Sequence, residues 1–162
     1  MKKNNFLSKL KKEEKLELVE PSIEVCSSYL EKADDCLASA KLLYENKLYE
    51  NSVSMSYYTM YNSLIALLFK LGIKSENHSG SILLLKLLLG KNELFDIVSN
   101  AKKERVDKQY YVITEGFDIT KDSAGVLVLN AGNFLLNIKL VIKKLNNKEI
   151  DKIRKDFLIL VD

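Results

Sequence analysis

Residues 49–71 read as one helix with almost no polar side. Val53, Tyr57, Tyr61, Leu64 and Leu68 recur at helical spacing, and Met60, Ile65, Leu67 and Phe69 cover much of the remaining circumference. A helix apolar nearly all round has to be surrounded by other elements. The rest of the chain must therefore wrap this rod, and Gly72 is where it stops. Ser52, Ser54, Ser56 and Ser63 are small polar residues at which neighbouring helices can approach closely.

The flanking sequence supplies helices of the right length. Over residues 22–45, Cys26, Leu30, Ala33, Leu37, Ala40 and Tyr44 form one apolar stripe, with Asn46 as a left-handed stop. After a loop over 73–79, SILLLKLLL at 81–89 is too apolar for a surface helix. It is expected to be buried or at a subunit interface, and Gly90 ends it. Asn92 caps a helix over 93–103. Residues 104–120 read as a helix end and then a loop through Gly116, although Tyr110, Tyr111, Val112 and Ile113 have strand propensity. Asp122 caps a helix reaching 145, with Val128, Ala131, Leu135, Ile138 and Ile142 as its stripe. Gly125 and Gly132 are tolerable inside it if another helix packs there. A last helix covers 148–160. Residues 4–18 form a weak amphipathic segment, either an outlying helix or a mobile arm.

Only one proline, Pro21, occurs in the 162 residues, so little interrupts these helices. The expected fold class is all-α: an antiparallel up-and-down bundle of four to five long helices plus short terminal helices. Residues 1–20 would be an N-terminal arm or short helix, and 21–162 a single domain.

Charge and cysteines exclude some chemistry. The net charge of +3 is mild. Lysines cluster at both ends of the chain, from Lys2 to Lys15 and from Lys139 to Lys155, where they could meet phosphates or simply be solvated. On one straight helix Cys26 and Cys36 would lie about 15 Å apart, too far for a disulfide. Reduced cysteines point to a cytoplasmic protein. Two cysteines and one distant histidine make no zinc pattern, so neither a metal nor a cofactor is expected. The charged N-terminus does not read as a signal peptide. The near-apolar run 57–69 is too short to span a bilayer, so no membrane is expected either.

The run ADDCLASAKLLYENKLYENSVSMSYYTMYNSLIALLFKLGIKSENHSG resembles HEPN-domain proteins, especially the small stand-alone prokaryotic group. Leu42, Leu43, Tyr49, Ser54, Tyr57, Tyr58, Lys70, Gly72, Ile73, Lys74, His78, Ser79 and Gly80 match that group's pattern. The segment from Arg105 to Tyr111 is similar to its arginine followed by an Asp-Tyr pair. The resemblance covers roughly residues 30–145. It implies a helical bundle that forms a homodimer and acts as a ribonuclease toxin or as partner of a nucleotidyltransferase antitoxin. The family's ribonucleases place a histidine four to six residues after the arginine. Here Tyr110 stands five residues after Arg105.

Metal-free RNA cleavage needs a base near neutral pKa for the 2′-hydroxyl and a cation for the phosphorane. Arginine suits the second task and histidine the first. Tyrosine, with an ordinary pKa of about 10, is a poor base but a good hydrogen-bond donor and stacking surface. The candidate catalytic residues are therefore Arg105, Tyr110 and His78. The candidates for RNA or nucleotide binding are Arg105, Tyr110, Tyr111, Lys74 and His78. Each has a plainer reading. Arg105 could pair with a carboxylate at a helix end, Tyr110 could fill the core, and His78 could hydrogen-bond backbone at the next helix. Tyr57, Tyr58 and Tyr61 could all be core residues. The function expected is a HEPN-type module that binds RNA, a nucleotide or a partner with a degenerate catalytic motif. The alternatives are an active metal-independent endoribonuclease and a non-catalytic helical adaptor.

Overall fold

The computed structural model describes residues 2–110 and 119–162, with 106–110 as helix backbone only. In chain order the elements are α1 (Asn5–Lys12), β1 (Leu16–Leu18), α2 (Ile23–Glu45), α3 (Tyr49–Lys70), β2 (Ile73–Ser75), α4 (His78–Leu87), α5 (Asn92–Tyr110), α6 (Lys121–Lys144) and α7 (Asn147–Val161). The fold is an all-α bundle. Its axis is α3, which packs against α2, α5 and α6. Tyr57, Met60, Leu64, Leu67 and Leu68 are all fully buried, as a rod without a polar face requires.

Several small polar residues of α3 find partners, although the buried Ser56 hydroxyl has none among the described residues. Ser52 Oγ donates to Ala40 O across the helix pair at 2.7 Å. Thr59 and Ser63 bond back to Met55 O and Met60 O in their own helix. Where α6 meets α2, Gly125 faces Tyr44 and Gly132 faces Leu37, so the two glycines do mark close helix approach. Leu84, Leu85 and Leu88 of α4 are buried, as its apolar run implies.

Several local expectations are corrected. A two-stranded antiparallel sheet pairs β1 with β2, with Leu16 opposite Ser75 and Leu18 opposite Ile73. The segment read as an outlying helix or mobile arm thus joins the core: Leu7, Leu10 and Leu16 are buried. Asn4 caps α1 and also donates its backbone N–H to Leu160 O at 2.8 Å. The left-handed residue after α2 is Lys47, with φ 63°, rather than Asn46. Asn77 caps α4, so the expected loop shrinks to a strand and a cap. Helix α5 runs on to Tyr110. Thr120, in a reciprocal capping box with Ser123, begins α6 in place of Asp122. The buried face of α6 includes Leu127 and Phe134, while Val128 and Ile142 are only half-buried.

Arg154 lies within the basic C-terminal stretch but has a structural task. Its Nη1 donates to Val19 O at 2.8 Å and to Leu71 O and Gly72 O at 3.0 Å. A single guanidinium thereby satisfies carbonyls at the end of α3 and beside β1. Gly72 adopts φ +68°, and a Cβ there would meet both this guanidinium and, at 2.5 Å, Val19 O.

Helix α6 is the one described helix long and apolar enough to cross a membrane by length and composition, longer than the 57–69 run that the sequence singled out. Only 28% of its most apolar stretch is buried in the bundle. The remainder carries an exposed ladder of Val126, Leu129, Leu136 and Leu140.

Candidate functional site

Helix α4 opens at His78 because the Asn77 side chain accepts from Gly80 N at 2.9 Å. That cap turns the imidazole, half-buried, onto α3. There Tyr57 and Tyr61, one helical turn apart, present their rings on one side. The Tyr57 hydroxyl lies 2.6 Å from His78 Nδ1. The imidazole also stacks on Tyr61, with ring centres 3.8 Å apart and planes 11° from parallel.

A second helix brings in positive charge. On α5, Lys102 and Arg105 are one turn apart and point at the same place. The Arg105 guanidinium carbon lies 5.3 Å from the Tyr57 ring centre and 4.7 Å from that of Tyr58, a double cation–π arrangement. Its Nε is buried and finds no hydrogen-bond partner among the described residues. Lys102 Nζ donates to Ser79 Oγ at 2.6 Å.

Arg105, Lys102 and His78 therefore converge from α5 and α4 on the tyrosines of α3. Among the described residues, no carboxylate forms an ion pair with any of the three. Burial, then the nearby Lys102 and Arg105, hold the His78 imidazole below its ordinary pKa, so it is neutral at pH 7. Burial, then Arg105, likewise lowers the Lys102 ammonium. Burial above all pushes the Tyr57 phenol well up, so it stays protonated.

The Tyr57–His78 bond sets the tautomer. When the phenol donates to Nδ1, Nε2 carries the proton and the ring is a donor. When Nδ1 donates to Tyr57 Oη, Nε2 is left with a free lone pair and can accept a proton. The pair is thus an orienting residue with a titrating ring, beside the cationic side chains of Lys102 and Arg105.

Three sequence-based readings change. The His78 ring bonds a tyrosine, not backbone, and Asn77 supplies the cap of α4. Arg105 lies over tyrosine rings, with no carboxylate partner among the described residues. Tyr57 is core, but Tyr58 and Tyr61 remain half-buried and line a cavity. Lys74 sits on β2, paired with Glu76 at 2.9 Å and Glu17 at 3.5 Å, on the rim of that same cavity. The Tyr110 side chain and the whole of Tyr111 lie outside the described residues. Lys102 was not singled out. Its signal was its place one turn before Arg105, hidden in a run of charges from 102 to 105. Among the described residues no cluster of histidine, cysteine and acidic side chains could hold a metal ion.

Comparison with known proteins defines the class to which this bundle belongs. The HEPN domain matches residues 26–150. The chain belongs to the HEPN domain family. It is 32% identical over 113 residues to the candidate toxin MJ0142 of Methanocaldococcus jannaschii, covering 67% of this chain and 74% of that protein. It is 37% identical over 59 residues to a second candidate toxin of the same organism, MJ0605, covering 36% of this chain and 44% of that protein. The chain therefore spans less than half the length of MJ0605.

Proposed function

We propose that this HEPN module binds RNA or a nucleotide by a phosphate group held between Arg105, Lys102 and His78. The observation that carries this reading is three basic side chains gathered on an aromatic base with no acid paired to them among the described residues. Burial first, and the neighbouring cations second, disfavour the charged forms of His78 and Lys102, and a bound phosphate would favour them. Tyr110 and Tyr111 are proposed as further stacking contacts to a base, and Lys74 as a more distant one. The test is filter retention of short single-stranded RNA across a salt series. Wild type should bind with steep salt dependence, and Arg105→Ala should lose most of the affinity. Salt-independent or absent binding would end this reading.

Cleavage is the second reading, and the Tyr57–His78 pair favours it. A neutral imidazole oriented by a buried hydroxyl is the arrangement a general base requires, and Arg105 would supply the cation. In this reading His78 takes the place of the histidine that Tyr110 replaces in sequence. RNA incubated with wild type, Arg105→Ala and His78→Ala separates the two. Cleavage by wild type alone supports catalysis, whereas no cleavage, or equal cleavage by all three, restricts the site to binding.

The toxin names of the two relatives support a toxin–antitoxin setting for this chain, and a small nucleotidyltransferase is proposed as its partner from the family resemblance alone. A homodimer is proposed through α6. Val126, Leu129, Asn133, Leu136 and Leu140 are all exposed and alternate at steps of three and four, a heptad seam centred on a polar residue. An antiparallel pairing about Asn133 would set Asp122 of one copy against Lys144 of the other.

A further inference from the structure

We propose that a cavity between α2, α3 and β2 receives an adenine base, and that this cavity and the Arg105 cluster share Tyr58 as a common wall. This rests on the phosphate-binding reading above and adds a substrate class to it. The cavity has a volume of about 560 Å³, within the range of small-molecule sites.

Its shape follows from helix geometry. Tyr29, Lys32 and Cys36 recur at steps of three and four on α2. Tyr58, Asn62, Ile65 and Phe69 do so on α3, so two helix faces converge on one space closed at its end by β2. Tyr29 and Phe69 stack on each other in its wall, ring centres 5.6 Å apart and planes 14° from parallel. These rings offer flat apolar surface of the kind on which bases stack.

The polar group that selects the ligand is Asn62. It is 5% exposed and lines the cavity, yet its described partner is a weak one, Nδ2 to Cys36 Sγ at 3.5 Å. A buried amide seeks stronger partners than a thiol. Its paired donor and acceptor match the N6/N7 edge of adenine. At the rim, the Lys32 ammonium lies 5.9 Å from the Tyr29 ring centre. Tyr58 completes the site, since its ring lines the cavity while the Arg105 guanidinium lies over it. With its base in the cavity, the single phosphate of a nucleotide is proposed to lie around the half-buried Tyr58 ring and against Arg105.

The experiment compares AMP with ribose 5-phosphate by calorimetry, since the two differ only in the base. In parallel, alkylation of Cys36 is followed by peptide mass spectrometry, with the buried Cys26 as internal reference. AMP should bind roughly tenfold or more tighter than ribose 5-phosphate, and it alone should slow Cys36 alkylation. Tyr29→Ala and Asn62→Leu, each checked for a native circular-dichroism spectrum, should reduce AMP to the ribose 5-phosphate level. Arg105→Ala should weaken both ligands alike. Equal affinity for the two, or AMP binding that leaves Cys36 alkylation unchanged, overturns the base pocket while leaving the phosphate site standing. Failure of wild type to bind either ligand overturns both.

Discussion

The buried hydroxyl of Tyr57 sits 2.6 Å from Nδ1 of His78, tying the central helix to the first residue of α4. Tyr57→Phe deletes that bond and little else. The expected cost is about 0.5–1.5 kcal/mol of stability, the usual worth of such a bond. Nitrogen-15 NMR of the imidazole should show the tautomer mixture changing in the variant. An unaltered ring spectrum would mean that the hydroxyl does not orient His78.

The same ring makes stability depend on pH. Its folded pKa lies below 6.5, so the unfolded chain takes up a proton first as pH falls. The contribution is complete above about pH 6.5 and is lost as pH falls through the lower folded value. Thermal unfolding of wild type should therefore fall more between pH 7 and pH 5 than that of His78→Gln. Phosphate binding should show the opposite trend, because a bound anion favours the protonated ring. Affinity for RNA should rise on acidification in wild type and stay flatter in the variant.

Arg105→Lys keeps the charge but loses the planar fork and the overlap with the Tyr57 and Tyr58 rings. Loss of charge-assisted hydrogen bonds of roughly 1.5–3 kcal/mol corresponds to about 10- to 150-fold weaker RNA binding. The slope of log affinity against log salt should drop by about 0.7 in Arg105→Ala, one phosphate contact on a single strand. Lysine restoring full affinity would show that charge alone acts at this position.

At Gly72 the backbone is left-handed and the space for a Cβ is already taken. Gly72→Ala should cost at least about 1–2 kcal/mol from the backbone alone, with more from the displaced Arg154. Urea unfolding of Gly72→Ala and Arg154→Ala, singly and together, should give a strongly non-additive pair, because both changes break the same three-carbonyl contact.

The exposed ladder on α6 is tested by its own chemistry. Leu129→Lys with Leu136→Lys should convert a dimer to a monomer in sedimentation analysis, at little cost to the fold, since both side chains face outward. A wild type that sediments as a monomer at high concentration would remove the α6 seam.

How far the chain could be read in advance depended on how strongly each signal repeats. The rod of α3 and the leucine run of α4 were legible because burial imposes a pattern over many residues. The β1–β2 pair was not, because three-residue strands carry too few positions for a period of two to be seen. Arg105 and His78 could be singled out by chemistry, but their meeting on Tyr57 depends on how α4 and α5 cross α3, which no local pattern encodes. Lys102 and Asn62 stayed hidden for a related reason: a lysine among charges and an asparagine in a helix look ordinary until their neighbours are known.

The family match ends at residue 150, while the guanidinium that stitches α3 to the N-terminal strand stands at position 154. Leu160 and Phe157 are inaccessible to solvent, and Asn4 is fastened to the last turn of α7. A fragment trimmed to the homologous stretch would forfeit its clasp and bare the seat on which both chain ends rest. Both tails belong to the keystone of this arch, and shortened forms of the protein should precipitate where the whole chain stays dissolved.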